Sequence, residues 1–135
     1  MNYQTLFDAL ERHISALGYH PTTAENIHST LRHEGFPIAV IAYPQLLSID
    51  GHKEVEKSFL VEVKLLRENE VTPSVRAQVL SLLVADAECF VGLLSEQSEV
   101  LEVVVEEISP VERMMTITGE VAITLKAKIS TFCCG

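Results

Sequence analysis

Residues Met115 to Ile129 read MTITGEVAITLKAKI. Every second residue is apolar or glycine: Met115, Ile117, Gly119, Val121, Ile123, Leu125, Ala127 and Ile129. Between them lie Thr116, Thr118, Glu120, Ala122, Thr124, Lys126 and Lys128. A period of two over this length predicts a strand with one buried and one wet face. At about 3.3 Å per residue it spans roughly 50 Å, against a usual strand of about five or six residues. A long, two-faced strand suits assembly better than an enzyme pocket.

Upstream, Val100 to Ile108 predicts an antiparallel partner, turned into the long strand by Ser109-Pro110-Val111-Glu112. If Leu101, Val103 and Val105 share a face with Ile117, Gly119 and Val121, paired residue numbers have a constant even sum. Val105 then faces Ile117 with Val103 against Gly119, or the register lies two residues away, which relieves Glu102 of facing Glu120.

Further upstream, Ile38 to Tyr43 and Lys57 to Arg67 predict a first hairpin. Pro44 bends or bulges the first strand or puts it at an edge, and the polar stretch Leu47 to Glu56 forms a wide loop with Asp50-Gly51 at its turn. Two helices precede and follow this hairpin. The first runs from Tyr3 to Leu17, with Leu6, Phe7, Leu10, Ile14 and Leu17 on one stripe and Gly18 as its stop. The other opens with Thr72 as N-cap and Pro73 in the first turn and continues to about Leu94. Its apolar face is Val75, Val79, Leu82, Leu83, Phe90, Leu93 and Leu94. Residues 22–34 read either as a short helix, capped by Thr22 with Glu25 and ended by Gly35, or as a loop. The expected fold is one α+β domain over residues 1–135. It has a mostly antiparallel four-stranded sheet and two main helices on one face, in the order α(α)ββαββ.

The chain has 135 residues, 47% of them hydrophobic, which is enough for a core without staples. Its net charge of −9 argues against a nucleic-acid groove, which needs clustered cations. Glu96, Glu99, Glu102, Glu106, Glu107 and Glu112 run together with no base before Arg113. They read as a solvated strand face or as a surface for a basic partner. Glu102 and Glu106, four apart, are expected on the same wet face. No window approaches eighteen apolar residues, so no membrane span is expected. Three cysteines without a leader pattern suggest a reducing, cytoplasmic setting.

Catalytic signatures are sparse. No Gly-x-Ser-x-Gly elbow or glycine-rich phosphate loop occurs. His28 and His33 are five apart and diverge on a helix, although His20 and Glu25 would bring a possible ligand set nearer. Cys133-Cys134 reads as small apolar filling at a strand end, and Cys89 as inert. No cofactor or metal site is expected.

The element order resembles the tail-terminator family of long-tailed phages, the minor tail protein U type. The resemblance rests on the helical start LFDALERHI and on Glu34-Gly35-Phe36-Pro37-Ile38-Ala39-Val40-Ile41, an acidic-Phe-Pro entry into an apolar strand. It rests also on FLVEVKLL after a polar loop, a Pro-started helix and the last strand VAITLKAKI. Residues 18–33 and the CCG ending depart from the pattern. The resemblance implies a non-enzymatic subunit of a homo-oligomeric ring that caps the tail tube and meets the head connector, in the cytoplasm during assembly and then in the virion tail. On that reading, contacts are expected at Ile49, Asp50, Gly51, His52 and Lys53 of the hairpin loop. They are also expected at Glu102, Glu106, Thr116, Thr118, Lys126 and Lys128 of the last hairpin. The alternatives are an acidic dimeric secretion chaperone that binds an extended segment, and a small α+β enzyme or ligand-binding domain. Chaperones of that kind usually end in a helix, whereas the last element expected here is a strand.

Overall fold

The structure, a computed structural model, describes residues 1–50, 56–68, 73–111 and 120–132. Among these, α1 (Tyr3–Ala16), β1 (His20–Thr22), α2 (Ile27–His33), β2 (Ile38–Ile41), β3 (Gln45–Asp50), β4 (Glu56–Arg67), α3 (Pro73–Ser95), β5 (Val100–Pro110) and β6 (Val121–Phe132) follow in order. The α+β expectation holds, but the sheet has six strands and not four. Its order is β1-β2-β4-β6-β5, with β3 also paired to β4. Only β1 and β2 run parallel. The two additional strands escape periodicity for simple reasons. The first, β1, is three residues long and contains Pro21, while β3 continues the first hairpin beyond the break at Pro44.

Local chemistry sets the ends of the helices. At α1, the Asn2 side chain accepts the Thr5 N–H and the Thr5 hydroxyl accepts the Asn2 N–H, each at 2.9 Å. This reciprocal cap satisfies two donors that would otherwise lack partners. Gly18, at φ +88°, ends the helix, and the Tyr19 N–H closes back on the Ile14 carbonyl. Residues 27–33 are helical, but Thr22 does not cap them. Asn26 is the N-cap, and Thr22 belongs to β1, where the Thr30 hydroxyl donates to its hydroxyl at 2.8 Å. Thr72 lies outside the described residues.

The long β4 organises the sheet. It carries β2 and β3 in succession along one side and all of β6 along the other. The face toward α1 and α3 presents Phe59, Val61, Val63 and Leu65 from β4, with Ile123, Leu125 and Ile129 from β6. Leu6, Leu10 and Ile14 of α1 and Leu83, Ala87, Phe90 and Leu94 of α3 complete this core. Each fully buried large side chain stabilises by about 1.5–3 kcal/mol relative to exposure. Both main helices thus lie on one face, as expected. The short α2 lies on the other, where Ile27 and Leu31 join Ile38, Val40, Leu66 and Ala122 in a second cluster. This explains why β6 is buried on both faces from Val121 to Leu125 and alternates only beyond Lys126.

The expected register of the last hairpin is wrong. Val103 pairs with Ile129 and Val105 with Ala127, about ten residues beyond the expected partners, while Val121 pairs with Arg67 of β4. The expected turn at Ser109-Pro110 is strand, paired with Thr124 and Ile123. Two register shifts, between Val100 and Glu102 and between Val105 and Glu107, leave Leu101 and Glu106 as extra residues. Each such bulge flips the side-chain alternation, so no single parity describes the pair.

On α3, Leu82 is 46% exposed, not in the core, and Ala87 takes a core place that the pattern missed. Val75's side chain lies outside the described set. The span Arg76–Ser95 is, by length and composition alone, apolar enough to cross a membrane, contrary to expectation, with a mean hydropathy of 1.7. One side of it is built into the core. Gly92 sits inside this helix, exposed, and an added Cβ there would meet nothing within 4 Å. Glycine in a helix costs about 1 kcal/mol relative to alanine. Gly92→Ala is therefore expected to stabilise the fold by about 0.5–1 kcal/mol, read as a higher urea midpoint at unchanged slope.

Candidate interaction surface

The sheet face away from α1 and α3 is open beyond the reach of α2. Its side chains form cross-strand rows set by the two ladders around β6. One row is Glu62, Lys126 and Glu107; the next is Leu60, Lys128 and Val104; a third is Ser58, Ser130 and Glu102. Lys126 Nζ lies 3.5 Å from Glu107 Oε2, and the Ser109 hydroxyl donates to Glu107 Oε1 at 3.1 Å. Part of the acidic run therefore meets a base of its own chain. This pair is exposed and contributes about 0–1 kcal/mol.

Of the residues expected to make contacts, Glu102, Lys126 and Lys128 share this open face. Glu106 does not follow the alternation that would place it with Glu102, because it is the extra residue of a bulge. Gly51, His52, Lys53, Thr116 and Thr118 lie outside the described residues. Of the wide loop expected from Leu47 to Glu56, residues 47–50 and 56 are strand, and residues 51–55 lie outside the described residues. Ile49 pairs with Lys57 and Asp50 with Glu56, so the described pairing of the first hairpin extends to Asp50 and Glu56. A shift between Leu46 and Ser48 leaves Leu47 as another bulged residue.

The free edges of the sheet carry what the sequence reading missed. Among the described strands, none pairs with the outer side of β5 or with the outer side of β3. On β5, Leu101, Val104 and Val105 are exposed, Val104 by 45%. On or just before β3, Tyr43, Leu47 and Ile49 are exposed, Ile49 by 58%. Long edges with exposed apolar side chains are templates for strand pairing. Tyr3 covers the start of the β3 edge, where its hydroxyl accepts the Leu46 N–H at 3.2 Å. Its ring packs edge-on against Phe59, while Phe7 stacks on Tyr43.

A second polar assembly lies on the helical side, and nothing in the sequence pattern marked it. Tyr19, only 2% exposed, donates its hydroxyl hydrogen to Asp86 Oδ2 at 2.6 Å. Arg67 donates to the Tyr19 oxygen at 3.2 Å and to Asp86 Oδ2 at 3.1 Å, with its guanidinium carbon 5.2 Å from the Tyr19 ring centroid. Burial, with the Asp86 hydrogen bond second, holds the Tyr19 hydroxyl well above its ordinary pKa, so it stays protonated. Burial pulls Arg67 down, but Tyr19 and Asp86 together outweigh it and raise its pKa. The assembly ties the α1–β1 turn, β4 and α3 together. Beside it, Phe36, Pro37, Arg67, Glu68, Val79 and Leu82 line an open cleft of about 270 Å³. The Arg67 charge at this cleft is already balanced by Asp86.

Among the described residues, no group of three or more His, Cys, Asp or Glu is placed to hold a metal. His20 Nδ1 lies 3.8 Å from Glu34 Oε2, its one ion-pair neighbour among them. No protein-family model matches the sequence, and no curated protein matches it.

Proposed function

We propose that the protein is a non-enzymatic assembly subunit. It acts as a tail-terminator-like ring component that caps a phage or prophage tail tube and meets the head connector. The observation that carries this reading is the outer edge of β5, eleven residues long, with Leu101, Val104 and Val105 exposed beside Glu102, Glu106 and Glu107. Such an edge has backbone groups to offer and apolar area to bury, which is what a protein partner uses. The element order and the local stretches that resemble tail terminators supply the particular role. Its partners on this reading are its own subunits, the tail tube and the connector. It needs no cofactor and acts in the cytoplasm before becoming part of the virion tail.

Negative-stain imaging of concentrated protein tests the proposal. Closed rings of about six copies are expected, because a heterologous contact that closes gives a ring. Uniform compact dimers with no larger particle would contradict it and favour a dimeric chaperone.

A further inference from the structure

We infer that the free edge of β5 in one copy pairs with the free edge of β3 in the next, joining the two sheets head to tail. This rests on the assembly reading and names its interface. Among the described strands, the open sheet leaves two long edges without a partner on opposite sides, β5 beyond β6 and β3 beyond β4. The exposed large apolar side chains gather there. Leu101, Val104 and Val105 lie on β5, Leu47 and Ile49 on β3, and Tyr43 just before it. Among the described residues, the others are Tyr3, which adjoins β3, and Leu82 on α3.

Charge disfavours one alternative, the pairing of two β5 edges. Two β5 edges brought together would oppose two sets of Glu102, Glu106 and Glu107, and like charges across strands repel. The β3 strand has one carboxylate in its sequence, Asp50, and on the adjoining strand Glu56 lies opposite Asp50 and Lys57 opposite Ile49. The acidic edge therefore meets one with fewer carboxylates, behind which Glu56 and Lys57 offset each other. Such a contact uses two different surfaces, so it propagates from copy to copy and closes as a ring when the rotation permits. Tyr3 already occupies the Leu46 N–H, and the bulges at Leu47, Leu101 and Glu106 interrupt regular pairing. The paired segment is thus short, centred on residues 47–50, and assembly depends on concentration.

Two variants test this, each altering exposed side chains of one edge. One is Leu47→Glu with Ile49→Glu, and the other is Leu101→Glu with Val104→Glu. Native mass spectrometry is expected to find each variant mostly monomeric, with assembly at least about tenfold weaker than wild type. An equimolar mixture is expected to form a one-to-one heterodimer and nothing larger, because each variant keeps one intact edge. Either variant dimerising alone, or a mixture that stays monomeric, overturns the pairing. Wild-type rings with both variants assembling normally overturn the pairing but leave the assembly role intact, whereas a wild type that never assembles removes both. If a variant fails to fold, hydrogen exchange on the wild type decides. Protection gained on assembly at Gln45–Asp50 and Val100–Pro110 supports the pairing, and gain confined to other segments overturns it.

Discussion

Phe90→Ala is expected to remove about 3–5 kcal/mol of stability, because it deletes a ring from a packed interior and leaves a cavity. Phe90 is fully buried in the cluster where α3 meets α1 and the sheet. Native domains have only about 5–15 kcal/mol in total, so this one change removes a large share. Leu82→Ala on the same helix is the control. Leu82 is nearly half exposed, and its truncation is expected to cost less than about 1 kcal/mol. Urea unfolding of the two variants measures the contrast. Equal losses would mean that the helix is turned differently, with Leu82 in the core as its sequence pattern suggests.

Asp86→Ala is expected to cost about 2–3 kcal/mol. It leaves the buried Tyr19 hydroxyl without its acceptor and removes the anion beside Arg67, and hydrogen bonds to charged groups are worth about 1.5–3 kcal/mol. Arg67 and Asp86 keep some contact with water, which holds the loss below that of a fully buried broken pair. The same cluster gives a pH signature. Tyr19 has a raised pKa in the fold, so its stabilisation is fully present below about pH 10, where an unfolded tyrosine also holds its proton. Above that, the unfolded chain releases the proton and the folded one keeps it. Stability then falls with rising pH by up to about 1.4 kcal/mol per unit. In Tyr19→Phe this component of the slope disappears; an unchanged slope between pH 10 and 11 would contradict the burial of that hydroxyl.

The α+β class, the helix stops at Gly18 and Gly35 and the start of α3 at Pro73 were readable, because each is a local matter of period or backbone freedom. The strand registers were not, although the signal was present. All three bulges fall on doublets: Leu46-Leu47, Val100-Leu101 and Glu106-Glu107. Two like residues in succession cannot both obey a period of two, so one is set aside as the extra residue. A single-parity rule hides this. Ala122 is another example. It interrupts a polar series because α2 covers that end of the outer face, a long-range fact that the strand's own pattern only hints at. The Tyr19–Arg67–Asp86 cluster joins residues 19, 67 and 86, and no local spacing brings them together. A wet outer face was anticipated and holds from Lys126 onward, whereas the Lys126–Glu107 pair and the free edges were not, because register and edge position depend on bulges and strand order.

Native mass spectrometry of the wild-type chain across a rising concentration series tests the central claim most directly. Assembly into a closed ring predicts a dominant species near six copies of the 15.0 kDa chain, about 90 kDa, that gives way to monomer on dilution. A chain that stays monomeric throughout, or stops at a dimer, would contradict it.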